Sequence, residues 1–387
     1  MIVKRLFIVI LCFIFQYYVG FSLNNQIIPG AESTNEYIHL LKDKRVGIVA
    51  NHTSVIKNVH LVDTLISLKI NVVKIFCPEH GFRGEKEAGE KVKSEKDKKT
   101  NLPIISLYGK HYKPTSEDLK RIDIILFDIQ DVGVRCYTYL STLHYVMEAC
   151  AENNITLIIL DRPNPNGFYI DGPVLNLKYK SFVGLHPVPL VYGMTIGEYA
   201  TMINGEKWLN DRITCNLKII LCKNYTHSSK YILPVKPSPN LIDMQAVYLY
   251  PSLALFEGTA ISVGRGTDKP FKSFGHPSLL RGEYFFVPQK NHNKSKPLYC
   301  DTTCRGYDLS NFVFNDSNYF TIKWLIMAYQ AFPDKRRFFN RFFYNLSGND
   351  ILIKQIEDGV DENEIRKTWK PEIEKFMKLR EKYLLYP

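Results

Sequence analysis

The chain predicts a mainly parallel, doubly wound α/β sheet followed by a second, smaller α/β or α+β domain. Four short β-branched runs carry the first part: RVGIVA ending at Ala50, NVVKIF ending at Phe76, IDIILF ending at Phe127 and ITLIIL ending at Leu160. Each is continuously apolar, as expected of a strand covered on both faces. Between them lie segments with helical character: HLVDTLISLKI, TSEDLKRI with a Thr115/Ser116 start, and 137–153 with apolar residues at helical spacing. Strands alternating with helices imply crossover connections, and hence parallel pairing.

The remaining elements are read in order. Residues 1–22 carry Lys4 and Arg5, an apolar run from Leu6 to Phe15, and small residues at Gly20 and Ser22. That is the layout of a secretory signal peptide; a retained single-span anchor is the other reading of the same run. Secretion or a periplasmic location follows from the first, membrane attachment through an uncleaved N-terminus from the second. Residues 23–186 form the expected sheet domain, and 187–387 a second domain closing a cleft over it. The second domain opens near Pro187 and contains the strand-like NLKIILC, turn-rich loops, and helices over 318–332 and 361–386. The charged segment 85–100, EKEAGEKVKSEKDKKT, is a solvated excursion or, from its place beside the candidate site, a lid.

Composition narrows the function. The 387 residues are 45% hydrophobic and 13% aromatic, enough for one large core or two moderate ones and unlike a disordered chain. Of eight cysteines, Cys12 falls in the N-terminal run, and the seven others are an odd number scattered among apolar residues. A disulfide framework is not indicated, although Cys300 and Cys304 are close enough in sequence to pair. No further ligands stand near that pair for zinc, so no metal is expected. The net charge of +11 is dispersed rather than gathered into a basic stripe with interleaved aromatics, which argues against nucleic acid. It suits an anionic polymer or simply a solvated surface. No glycine-rich dinucleotide fingerprint or phosphate loop follows any strand, so no nucleotide cofactor is expected. Neither a GxSxG elbow nor an HExxH zinc motif is present, which weighs against an esterase or amidase.

Every apolar strand is followed at once by a polar cluster: Asn51-His52-Thr53, Cys77-Pro78-Glu79-His80-Gly81, Asp128-Ile129-Gln130-Asp131, and Asp161-Arg162-Pro163-Asn164-Pro165. In an open α/β sheet the carboxyl ends of the strands line one crevice, so the clusters are expected to converge around a polyhydroxylated ligand. Singly, each also suits capping of the helix that follows. Glu79 is the leading candidate. A carboxyl at a strand end, shielded from water and beside the flexible Gly81, has its acid form favoured, as a general acid requires; an ion pair with Arg83 is its alternative fate. Glycoside hydrolysis needs a second participant, for which Asp128, Asp131, Asp161, Glu198 and Glu257 are candidates. A separation of about 5–5.5 Å from Glu79 suits retention and about 6.5–9.5 Å inversion.

Together these motifs resemble the NamZ-like exo-β-N-acetylmuramidases. CPEHGFRG (77–84), FDIQDVGVRCYTYLSTL (127–143), LDRPNPNG (160–167), DGP (171–173), YGMTIGEYA (192–200), PSPN (237–240) and YPSLALFEGTAISVGRGTDKPF (250–271) occur in the family's order, and the ending with Trp369, Arg380 and KYLLY is also similar. The resemblance implies a Rossmann-like N-terminal domain, a smaller C-terminal domain, and a site in the cleft between them. It implies exo-acting release of N-acetylmuramic acid from fragments such as the N-acetylmuramic acid–N-acetylglucosamine disaccharide, without a cofactor. It points to Glu79 as catalytic, with His80 and Asp128 beside it. By position, Asn51, Gln130, Asp131, Arg135, Tyr137, Asp161, Arg162, Asn164, Glu198, Glu257 and Arg265 are the expected substrate-binding residues. Arg135 or Arg265 suits the lactyl carboxylate, because a guanidinium fork matches that geometry, or else a structural ion pair. Ala260 stands where relatives more often carry Asn, which bears on subsite preference. A binding protein for peptidoglycan that lacks turnover is the reading from another class.

Overall fold

The computed structural model describes residues 26–79, 81–83, 95–290, 296–317 and 319–387. The expectations for the N-terminal run 1–22, for His80, and for most of the charged segment after Gly84 therefore fall outside the described residues. Twelve strands are described: β1 Val46–Ala50, β2 Val55–Ile56, β3 Val59–His60, β4 Val72–Cys77, β5 Glu95–Lys96, β6 Pro103–Ser106, β7 Ile124–Asp128, β8 Thr156–Leu160, β9 Leu217–Ile220, β10 Ser273–His276, β11 Tyr284–Phe286 and β12 Cys304–Asp308.

Seven of them form the main sheet in the order β5-β6-β4-β1-β7-β8-β9, parallel throughout except for the β5 edge. The chain winds outward from β1 through β4 to β6, returns beside β1 as β7, and winds outward the other way through β8 to β9. This is the expected doubly wound α/β sheet. Its register explains the unbroken apolar runs: Phe76, Val49, Phe127, Ile159 and Ile219 are paired in one row across the sheet. Side chains alternate faces along a strand. Val49, Phe76, Phe127 and Ile159 thus enter one apolar cluster, and their neighbours Ile48, Ile75, Leu126 and Ile158 enter the other.

The expected boundary at 186/187 does not coincide with a break in the sheet. NLKIILC, assigned by sequence to the second region, supplies β9, which pairs with β8 in the first sheet. Tertiary pairing placed it there, because a strand needs an edge and the run itself does not say which. The apolar cluster on one face of the sheet continues through Leu249, Phe256, Phe274, Phe338 and Trp369, so the C-terminal half shares that core. This half adds a three-stranded antiparallel sheet, β10-β12-β11, and the long helix Glu362–Arg380.

Two local expectations differ from the structure. TSEDLKRI forms turns rather than a helix. The Asp118 carboxylate accepts from Thr115 N and Oγ1 at 2.8 and 2.6 Å, a side-chain box that competes with helical bonding, and Arg121 takes a left-handed φ of 63° to turn the chain into β7. Cys300 and Cys304 are free thiols: Cys300 Sγ donates to Asp301 Oδ2 at 3.2 Å. β6 has no counterpart in the sequence reading, because it is four residues long and opens with Pro103.

The carboxyl ends of β7 and β8 are joined by an ion pair closed to solvent. Arg162 Nε and Nη2 donate to the two Asp128 oxygens at 2.5 and 2.9 Å, and Nη2 also donates to Val55 O. Asp128 is 0% and Arg162 3% exposed, so removing either partner leaves a charge in a place without water. We expect Arg162→Met to lower the unfolding free energy by about 3–5 kcal/mol, with the Asp128→Leu/Arg162→Met double variant recovering part of it. Chemical denaturation measures both; a double variant no better than the single one contradicts the pairing.

Candidate active site

A cavity of about 640 Å³ opens beyond the carboxyl ends of β4 and β6, where the C-terminal half closes over the sheet. Glu79 reaches it two residues past β4. Pro78 and Gly81 form the turn that lifts it: Gly81 N donates to Pro78 O at 3.2 Å, and Gly81 adopts a φ of 74°. The Glu79 side chain is half-buried, and its Oε2 accepts from Thr138 Oγ1 at 3.0 Å. Arg83, the alternative partner considered for it, instead donates to both oxygens of Asp97 at 2.9 and 2.8 Å and lies 3.5 Å from Asp63. The Arg83 guanidinium and burial, acting in opposite senses, leave the Asp97 carboxyl lowered to about 2.

An aromatic floor runs from Glu79 to the opposite wall. Asn51 Nδ2 donates to Tyr139 OH at 2.8 Å, Tyr139 meets Tyr137 edge-on at 4.8 Å, Tyr137 meets Tyr250 at 5.8 Å, and Tyr250 meets Phe271 at 5.0 Å. Tyr137 OH is fixed by donating to Pro237 O at 2.8 Å. Arg265 lies 4.9 Å above the Phe271 ring and donates to Glu257 Oε1 from Nη2 and Nε at 2.7 and 3.2 Å. Burial works against the Arg265 charge, and Glu257, with a smaller contribution from Glu79, outweighs it, so its pKa lies above the ordinary value. Tyr139 is pushed upward by burial and then by the Glu79 charge, which places both groups in one electrostatic neighbourhood.

Of the residues expected from sequence, the structure brings Glu79, Tyr137, Glu257 and Arg265 to this cavity. His80 lies outside the described residues. Asn51 stands one step behind, holding Tyr139, and its Oδ1 accepts from Thr53 Oγ1 at 2.6 Å. The others do not line the cavity; they are buried, and their bonds run mainly to the surrounding chain. Asp128 and Arg162 form the pair described above. Gln130 Nε2 donates to Asp131 O and Pro163 O, both at 2.8 Å. Asp161 accepts from Thr195 Oγ1 and Tyr386 OH at 2.6 Å and from Gly197 N at 2.9 Å. Asn164 donates to Met194 O and accepts from Asn166 N, both at 2.8 Å. Glu198 accepts from Thr195 N, Leu385 N and His227 Nε2 at 2.8–2.9 Å. Arg135 donates to three carbonyls, Pro173 O, Val188 O and Leu346 O, at 2.7–2.8 Å. Burial lowers its pKa to about 10, and it does not line the cavity. The reason is general: a polar group at the end of a buried strand meets little water, and most such groups take protein partners, with Gln130 Oε1, Asp131 Oδ1 and Arg135 Nε the exceptions here among the described residues.

Other cavity residues were not singled out in the sequence. Thr138, Tyr139, Tyr250, Phe271 and Asn240 lie inside motifs already quoted, beside residues that were chosen. Tyr108 and Phe182 come from distant loops, and nothing local marks them.

A doubly wound sheet with a carboxyl lifted into an aromatic, polar-rimmed cavity defines an enzyme of the glycoside-hydrolase class. The chain belongs to the exo-β-N-acetylmuramidase NamZ family. The family's N-terminal model matches residues 46–245 and its C-terminal model residues 248–386, a division that leaves β9 with the first sheet. The chain is 38% identical over 378 residues to the peptidoglycan β-N-acetylmuramidase NamZ of Bacillus subtilis strain 168, covering 91% of this chain and 89% of that protein. Among solved structures it is similar to a DUF1343 family protein of Bacteroides fragilis NCTC 9343, with a TM-score of 0.86 and 46% identity over 93% of this chain and 99% of that one. A second DUF1343 family protein of that strain gives a TM-score of 0.78 and 30% identity over 94% and 100%.

Asp131, behind the aromatic floor, carries a pH dependence. Burial raises its carboxyl from 3.8 to about 6, while bonds from Tyr192 OH and Gly133 N pull the other way. Among the described residues its Oδ1 has no hydrogen-bond partner. Between these two values the folded protein binds the extra proton, so the contribution of Asp131 to stability is full below about pH 4 and declines as pH rises through 6. The unfolding free energy of the wild type, taken relative to Asp131→Asn, is expected to fall by up to about 3 kcal/mol from pH 4 to 7. Thermal or denaturant unfolding across that range measures it, and a flat or rising difference contradicts the assignment.

Proposed function

We propose that the chain removes terminal non-reducing N-acetylmuramic acid from peptidoglycan fragments, with Glu79 as general acid. The observation that carries this is the place of Glu79: a carboxyl raised by the Pro78–Gly81 turn to line the cavity, with its Oε2 held by Thr138 Oγ1 at 3.0 Å. The name of the Bacillus subtilis relative supports the substrate class.

In this reading Glu79 gives its proton to the glycosidic oxygen as the C1–O bond breaks, and water completes hydrolysis at C1. The second participant is Glu257, the member of the sequence-derived set Asp128, Asp131, Asp161, Glu198 and Glu257 that lines the cavity, or the acetamido group of the substrate. Arg265 is the candidate for the lactyl carboxylate: Nε and Nη2 go to Glu257, and Nη1 makes no hydrogen bond among the described residues. The aromatic floor supplies apolar faces for the sugar and excludes water from the reacting bond. The disaccharide of N-acetylmuramic acid and N-acetylglucosamine is the proposed minimal natural substrate. Export directed by residues 1–22 belongs to the proposal, and the net charge of +11 suits an anionic polymer.

A chromogenic N-acetylmuramic acid glycoside tests the reading. Wild type is expected to release free N-acetylmuramic acid, and Glu79→Gln to lose about 10²–10⁴-fold in kcat with binding retained. Turnover of Glu79→Gln within a few-fold of wild type would remove Glu79 from the acid role. Binding without turnover by the wild type would make the chain a muropeptide-binding protein.

A further inference from the structure

A second concave surface adjoins the cavity. It is a groove of about 510 Å³ between the loop at Gly266–Asp268 and the outer edge of β11, running on to Gln289. Gly266, Thr267, Asp268 and Gln289 line both hollows, so the two are continuous. At their junction Gln289 N donates to Gly266 O at 2.9 Å. Gly266 has a φ of 83°, and a Cβ there would meet Gln289 O at 2.7 Å, so the saddle between the hollows is bare backbone. Among the described residues β11 pairs with β12 alone, and Tyr284–Val287 line the groove.

The walls combine polar side chains with large exposed rings. Phe285 on β11 is 60% exposed, with the Arg305 guanidinium 5.9 Å from its ring centre, and Val287 just past the strand is 40% exposed. Tyr284 stacks on Phe286 at 5.7 Å, and Lys269 lies 5.0 Å above the Tyr284 ring. A pyranose presents this same combination, an apolar C–H face bordered by hydroxyl and acetamido groups. Exo cleavage adds a geometric demand: with the terminal sugar in the cavity, the rest of the fragment has to leave over its rim.

We propose that this groove holds the saccharide on the leaving side of the scissile bond, with Phe285 as its stacking platform and Thr267, Asp268 and Gln289 as hydrogen-bond partners. The inference rests on the muramidase reading. It adds a determinant of fragment length: glycan extending past the leaving oxygen gains contacts that a small aromatic leaving group does not reach.

Phe285→Ala and Phe285→Tyr are compared with wild type on two substrates, the chromogenic N-acetylmuramic acid glycoside and a peptide-free glycan fragment extended on the reducing side. Phe285→Ala is expected to lower kcat/KM for the extended fragment by roughly three- to tenfold, the loss of one aromatic contact, and to leave the small glycoside unchanged. Phe285→Tyr is expected to restore the fragment rate. Equal losses on both substrates, or none on the fragment, overturn the proposal. A loss confined to fragments bearing stem peptides reassigns the groove to peptide and also overturns it. If wild type cleaves neither substrate, the muramidase reading fails on its own. Calorimetric titration of the peptide-free fragment then decides the groove, with weaker binding by Phe285→Ala upholding it and equal affinity overturning it.

Discussion

A parallel sheet buried on both faces ends in polar backbone and side-chain groups that have no access to water, and the Asp128–Arg162 pair is where this chain meets that constraint most sharply. Both groups are closed off, and their charges are tolerable only because they are 2.5–2.9 Å apart and Arg162 donates once more to Val55 O. From this pair a connected frame extends. Asp161 ties β8 to Thr195 and to Tyr386 near the chain end, while Glu198 ties the helix Ile196–Gly205 to Leu385 and His227. The C-terminal segment is thereby fixed against the first sheet through side-chain bonds as well as apolar packing.

The cavity depends on that frame without being part of it. Asn51, at the end of β1, orients Tyr139. Arg135 draws Pro173, Val188 and Leu346 together, and Leu346 lines the cavity from the helix Phe342–Ser347. The same residue types thus have two fates according to which strand they follow. Beyond β1, β7 and β8 they are enclosed and hold segments in place. Beyond β4 and β6 the chain turns outward, and Glu79 and Tyr108 line the cavity.

Placing the Glu79 carboxyl where both halves of the chain meet makes the site sensitive to their relative position. Glu79 and its donor Thr138 come from the sheet domain, whereas Glu257, Arg265 and Phe271 come from the C-terminal half. Tyr137 and Tyr250 bridge them through an edge-on contact at 5.8 Å. The shared apolar core under this floor resists shifts between the halves, because close-packed side chains have few alternative arrangements.

Much of this was legible in the chain. Four apolar runs of strand length, each followed by a polar cluster, determined the doubly wound sheet, and the order of the motifs determined the family. CPEHG marked Glu79 because Pro, Glu and Gly together describe a turn presenting a carboxyl. What the sequence did not decide is which strand-end clusters face solvent. Asp161 and Glu198 read as site residues until Tyr386 and Leu385, 225 and 187 residues away, are seen to bond them. Tyr108 and Phe182 leave no local trace for the same reason. Periodicity reports which face of an element is buried, because that is a property of neighbouring residues; whether a polar group at its end meets water, a ligand or another part of the chain is settled only by what packs over it.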